Sequence, residues 1–174
     1  MEKSDDDLDS PDPEVAACQI QVEDLDVETN LQRIREYALQ LPDSTDIAIF
    51  PEYSLTGYTD DERVYGVAMT RDEVVPKVRG ISEETDTEIL FGFIEEREDG
   101  EEYYNAAGYV TPEKDTVYRK RNLWSSEEEL LSQGEERVVI KTSAMSSRGD
   151  PFLKESAFKQ IKDLRTFVNL RFTR

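Results

Sequence analysis

A carboxylate follows directly on an apolar run and a proline in FPEYSLTGY (Phe50–Tyr58), where Glu52 leaves the segment Asp46–Phe50. A glutamate emerging from the end of a buried strand is partly desolvated, which suits it to work as a general base. Its position alone also allows a plainer reading, a loop carboxylate in solvent. Further on, Lys120 stands in YRKRNLW (Tyr118–Trp124) at the end of another short apolar segment. A fixed cation there could stabilise an oxyanion, or could simply end a surface strand beside Arg119 and Arg121. Three glutamates, Glu127, Glu128 and Glu129, come next, before LLSQG ending at Gly134.

What is missing narrows the chemistry. The 174 residues contain no histidine and one cysteine, Cys18. Ser-His-Asp and Cys-His catalysis are therefore excluded, as are an internal disulfide and zinc-type ligand spacing. The net charge of −19 argues against a nucleic-acid partner, which requires Lys and Arg to neutralise phosphate. No run approaches the roughly 18 consecutive apolar residues of a membrane span. The opening MEKSDDDLDSPDPE lacks the basic and apolar regions of a secretory signal, so cytoplasm is the default expectation. Excess negative charge spread along the chain fits a well-solvated surface, or adaptation to high salt, where self-repulsion is screened. On the second reading the melting temperature rises from low to molar KCl, and a flat response would sink it.

The elements that must position these residues follow from periodicity. VAACQIQV (Val15–Val22) reads as a buried strand. Asp26 offers a helix N-cap, and Val27, Leu31, Ile34, Ala38 and Leu41 line one helical face as far as Pro42. Asp46–Phe50 is a second buried strand, so the order β-α-β predicts two strands of one sheet joined by a crossover helix. A helical region is expected over Asp60–Glu84, broken near Pro76 and Gly80. Glu88–Glu96 and Glu102–Val110 form a hairpin about Asp99-Gly100, Thr116–Lys120 adds a strand, and Arg137–Lys141 reads as another.

Taken in order, these motifs resemble those of the nitrilase superfamily of carbon–nitrogen hydrolases. FPEYSLTGY is similar to its glutamate motif and YRKRNLW to its lysine motif. Tyr104-Asn105-Ala106, the opening VAACQIQ and Asn30 agree as well. The likeness covers roughly residues 14–141. It implies an α/β class, a nitrilase-like α-β-β-α sandwich present here in part, whose subunits pair through sheet-side helices, so that a homo-oligomer is expected. It also implies hydrolysis of a non-peptide C–N bond in a small amide, nitrile or carbamoyl compound, with no cofactor and no metal. Glu52 would be the base that activates a thiol, Lys120 would stabilise the oxyanion, and Glu127 would orient the lysine or the substrate amine.

The pattern breaks at the nucleophile. The family's cysteine belongs in a Gly-rich turn downstream of Val138–Lys141, where this chain reads TSAMSSRGDPFLKESAFKQ (Thr142–Gln160). Cys18 lies in an apolar strand and reads as core packing, and Ser143, Ser146 and Ser147 are poor substitutes without a strong base. The charge reverses at the same point: residues 1–140 carry net −24 and residues 141–174 net +5. Three parts are therefore expected: a disordered acidic leader (1–12), the hydrolase-like part (13–141) and an atypical tail (142–174). Helical spacing of Leu153, Ala157, Ile161, Leu164 and Val168 marks the tail. Two departures at one place suggest truncation or a frameshift; the coding DNA read in the other two frames beyond codon 141 tests this. Two functions stay open, a hydrolase and a catalytically inactive remnant that binds a full-length paralogue. A fragment of such a sandwich is also expected to associate abnormally, through uncovered sheet edges.

Overall fold

The computed structural model describes residues 13–140. Five strands form one sheet in sequence order: β1 (Val15–Ala17), β2 (Ile47–Ile49), β3 (Glu88–Glu96), β4 (Tyr103–Val110) and β5 (Asp115–Arg119). β1, β2 and β3 run parallel, and β3, β4 and β5 continue as an antiparallel meander. The expected crossover helix is α1 (Val27–Ala38), and α2 (Arg71–Thr85) makes the second crossover. The expected α/β class is thus what the chain adopts.

Both faces of the central strand are buried, which is why β3 reads as an almost unbroken apolar run. Ile89, Phe91 and Phe93 face the helices, packing with Phe50, with Ile34 and Ala38 of α1, and with Val74, Val78 and Ile81 of α2. Leu90 faces the other way, into a smaller cluster with Ile47, Ile49, Ala107 and Tyr109. Val138 and Ile140 pack on that second face. Arg137–Lys141 is expected as a strand; its described part, Arg137–Ile140, makes no ladder and contributes its apolar side chains. Lys141 and the tail expected from 142 onward lie outside the described residues, as does the leader 1–12.

The helical region differs from expectation in where it breaks. A 3₁₀ helix (Glu62–Val67) precedes α2, and α2 runs through Pro76 and Gly80 without interruption. The break falls at Ala68–Thr70 because Met69 leaves the helical path to join the sheet edge. Its N–H donates to the Ile94 carbonyl at 3.0 Å, and its carbonyl accepts from Glu96 N at 3.0 Å. The Glu73 carboxylate then accepts from Thr70 N at 2.9 Å and fixes the start of α2. Pro76 and Gly80 sit on the exposed face, so the buried stripe of Val74, Val75, Val78 and Ile81 carries the helix past them. α1 also stops three residues before its apolar face ends. The bonds Gln40 N to Tyr37 O and Leu41 N to Ala38 O tighten its last turn, yet Leu41 still packs on the core. No helix among the described residues is long and apolar enough to cross a membrane.

Candidate functional site

Glu52 is carried by a tight loop leaving β2. Ser54 ties that loop to the middle of β3: its Oγ accepts from Gly92 N at 3.0 Å, while Leu55 N donates to Gly92 O at 2.9 Å. Within the loop Tyr53 holds a left-handed φ of 56°, a local strain that its surroundings must sustain. A second anchor comes from Asn30, fully buried on α1. Its Nδ2 donates to Leu55 O at 3.0 Å and to Glu23 O at 2.6 Å, joining the loops after β1 and β2.

Lys120 is the first residue beyond β5 and is held by backbone bonds on both sides. Lys120 N donates to Asn105 O at 2.8 Å, and Gly134 N donates to Lys120 O at 2.9 Å. Alternation along the strand separates it from its neighbour. Arg119 turns to the helix face, where it pairs with both oxygens of buried Glu95 at 2.7 and 2.9 Å and lies 4.3 Å over the Tyr104 ring. Lys120 faces the other way. Gly134 must be glycine for this arrangement, because a Cβ there would land on the Arg119 carbonyl oxygen, with the carbonyl carbon and Arg119 Cβ each 2.7 Å away. Gly134→Ala is therefore expected to cost about 2 kcal/mol. In an NMR spectrum it should shift the Lys120 backbone resonance; an unchanged melt and spectrum would contradict it.

The three residues singled out in the sequence converge. Lys120 Nζ lies 2.9 Å from Glu52 Oε1, 2.9 Å from Glu127 Oε2 and 3.1 Å from Glu127 Oε1. Of the three consecutive glutamates, Glu127 is the buried one; Glu128 and Glu129 are exposed. It is delivered by the single turn α3 (Ser125–Glu128), and its Oε2 accepts from Trp124 N at 2.8 Å. Two further residues complete the cluster. Asn105 Nδ2 lies 2.6 Å from Glu52 Oε1, 2.7 Å from Glu127 Oε1 and 2.8 Å from the Tyr53 hydroxyl. The Tyr53 hydroxyl donates to Glu127 Oε1. Two carboxylates facing one side of the Asn105 amide settle its orientation, since an amide oxygen there would meet only acceptors. Sequence reasoning missed Tyr53 and left Asn105 without a role. The available signal was a polar amide inside the apolar strand YYNAAGYV, which must find partners once buried.

The charges are mutually sustained. Burial alone would pull the Lys120 pKa down, but hydrogen bonds to Glu127 and Glu52 and their two charges outweigh it and hold the pKa above its ordinary value. Burial likewise opposes the ionised form of Glu127. Hydrogen bonds from Tyr53, the Trp124 backbone, Lys120 and Asn105 outweigh that, and its pKa lies below the usual carboxylate range. Burial, reinforced by the neighbouring Glu127 and Glu52, pushes the Tyr53 phenol far up, so it stays a donor. Cys18 belongs elsewhere: it is buried in the helix-side cluster with Ile34 and Phe50, and burial raises its thiol pKa.

The family model for carbon-nitrogen hydrolases matches residues 14–154 of this chain. The chain belongs to the carbon–nitrogen hydrolase family. Its match continues past Lys141, into the stretch where the charge reverses. A Pseudomonas protegens protein described as a hydrolase in the pqqF 5′ region is 32% identical over 127 residues, covering 70% of this chain and 44% of the relative. An (R)-stereoselective amidase of a Pseudomonas species is 29% identical over 132 residues, covering 72% and 46%. The chain thus spans somewhat under half the length of these curated relatives. Among solved structures, the CN-hydrolase superfamily protein XC1258 of Xanthomonas campestris superposes with a TM-score of 0.67 at 19% identity, covering 75% of this chain and 49% of that one. The fold of this carbon–nitrogen hydrolase family member is therefore nitrilase-like, as its motifs implied.

Proposed function

We propose that this chain carries the base and cation of an amide-directed carbon–nitrogen hydrolase site and, as written, does not turn substrate over. The observation that carries the reading is Lys120 Nζ held at 2.9 Å by both Glu52 and Glu127 in a largely buried cluster at the ends of β2 and β5. In the complete reaction a thiol gives its proton to Glu52, and its sulfur attacks the carbonyl carbon while Lys120 faces the developing oxyanion. The C–N bond then breaks, the amine leaves with the proton returned by Glu52, and water hydrolyses the thioester to the acid. Glu127 keeps Lys120 charged and aimed. Glu52 is the more open partner, its side chain 26% exposed against 5% for Glu127, as an acid–base group that must meet substrate requires.

Cys18 is the one cysteine of the 174 residues, and its burial with a raised pKa opposes nucleophilic use. The expected result is that the purified chain releases no ammonia from acetamide, propionamide or glutamine, whether or not it is treated with iodoacetamide. Release that iodoacetamide abolishes would overturn the inactive reading and make Cys18 the nucleophile. A role as partner to a full-length paralogue is the second reading, favoured by the intact Glu52–Lys120–Glu127 geometry together with the burial of Cys18.

A further inference from the structure

Asn105 is 1% exposed inside an otherwise apolar strand, and the two ends of its amide are used unequally. Its Nδ2 has two hydrogens, and the charged acceptors in reach are Glu52 Oε1 at 2.6 Å and Glu127 Oε1 at 2.7 Å. Its Oδ1 is buried and has no hydrogen-bond partner among the described residues. A side chain kept to stabilise β4 would have both ends paired, because an orphaned buried acceptor costs stability. Here the engaged end is the one that faces the carboxylates.

Lys120 Nζ touches the same two oxygens, Glu52 Oε1 at 2.9 Å and Glu127 Oε1 at 3.1 Å. Two donors and two acceptors therefore close a ring, with Lys120 on one side and Asn105 on the other. The Asn105 backbone adds a third hold, since its carbonyl accepts from Lys120 N at 2.8 Å. One residue thus touches all three charged groups. Two carboxylates face one ammonium, and like charges brought together repel. The amide gives a hydrogen to each carboxylate without adding a charge. It also engages Glu52 Oε1, while Glu52 Oε2 accepts no hydrogen bond among the described residues.

Resting on the hydrolase reading above, we infer that Asn105 is a positioning residue, which bridges Glu52 and Glu127 against their repulsion and leaves Glu52 Oε2 as the oxygen that takes the proton. Asn105→Leu keeps the size and the backbone bond to Lys120 and removes the amide. Val110→Ala, a truncation of a fully buried residue in the same strand, is the control. NMR of the full chain reads the exchange rate of the Lys120 ammonium hydrogens and the pH at which the Glu127 carboxyl titrates, assigned through Glu127→Gln. Asn105→Leu is expected to speed the exchange at least about tenfold, as loss of one charge-assisted hydrogen bond implies, and to move the Glu127 titration to higher pH. Val110→Ala is expected to lower the melting temperature and move neither. In the parent chain the Asn105 side-chain amide resonances are expected to shift through the Glu127 titration, a measurement that needs no substitution at Asn105.

If Asn105→Leu melts lower yet leaves both quantities unchanged, while Glu52→Gln speeds the ammonium exchange, the bridge is overturned and the site reading stands. Asn105 resonances indifferent to the Glu127 titration overturn it too, as does a Val110→Ala variant that moves both quantities as far. Parent ammonium hydrogens that exchange like those of a surface lysine, with no response to Glu52→Gln, overturn the site reading together with the inference.

Discussion

Lys120→Met is expected to destabilise the chain by about 3 kcal/mol at neutral pH, because it strands two carboxylates around a buried apolar group. Glu127 is 5% exposed, and Lys120 supplies two of the contacts that hold it ionised. The sign with pH follows from the direction of its shift. In the native chain the Glu127 pKa is depressed, so its contribution is present above the unfolded carboxylate pKa and is lost as pH falls through the folded one. Lys120, with its raised pKa, contributes below its unfolded value, and that is lost only in strong alkali. Without the cation the Glu127 pKa rises from its depressed native value, and the variant's deficit narrows as Glu127 takes a proton on acidification. Urea melts at pH 7 and pH 5 measure this. A second substitution, Glu127→Gln on the Lys120→Met background, should recover about half of the loss at pH 7. A deficit that is the same at both pH values, and that Glu127→Gln does not relieve, would show the lysine to be a packing element instead.

Much of this arrangement is legible in the sequence because it rests on local pattern. The apolar runs of β3 and β4, the Asp99-Gly100 turn and the four-and-three spacing of α1 are short-range signals, and the observed elements follow them closely. Glu52 and Lys120 are legible because each stands at the end of an apolar run. The choice of Glu127 over Glu128 and Glu129 depends on one turn, α3, which points a single glutamate inward. Tyr53 was not legible, since its inward direction depends on a left-handed φ that nothing in FPEYSLTGY signals before the loop is built. The break at Met69 was hidden for the complementary reason. Its backbone is taken by Ile94 and Glu96, residues far along the chain, and that tertiary claim outweighs the helix-breaking tendency of Pro76 and Gly80. Local propensity placed the interruption where the sequence is weakest, and the sheet placed it where a strand edge needed a partner.

The same dependence on distant backbone makes Gly57 the position where one methyl group should do most damage. Gly57 closes the glutamate loop at φ 71°, with its N–H donated to Tyr53 O at 2.8 Å. A Cβ there would meet Asp24 Cα at 2.5 Å, Glu23 O at 2.8 Å and Leu25 N at 2.9 Å, all backbone atoms of the loop after β1. Neither loop can simply move aside. Leu25 N is bonded to Thr56 O at 3.0 Å, Leu25 itself holds a left-handed φ of 61°, and buried Asn30 clamps Glu23 and Leu55 together. Left-handed strain in a non-glycine residue costs roughly 1–2 kcal/mol, and backbone overlap adds about 1–3 kcal/mol. Gly57→Ala is therefore expected to lose about 3–4 kcal/mol, a large share of the 5–15 kcal/mol typical of a domain. The loss should be accompanied by a change at Glu52, because Tyr53, whose carbonyl Gly57 anchors, is the next residue. Chemical denaturation gives the first quantity, and the Asn105 side-chain amide resonance, bonded to Glu52 Oε1, gives the second. A variant that melts like the parent would show that the two loops separate easily, and with that the rigid placement of Glu52 would fall.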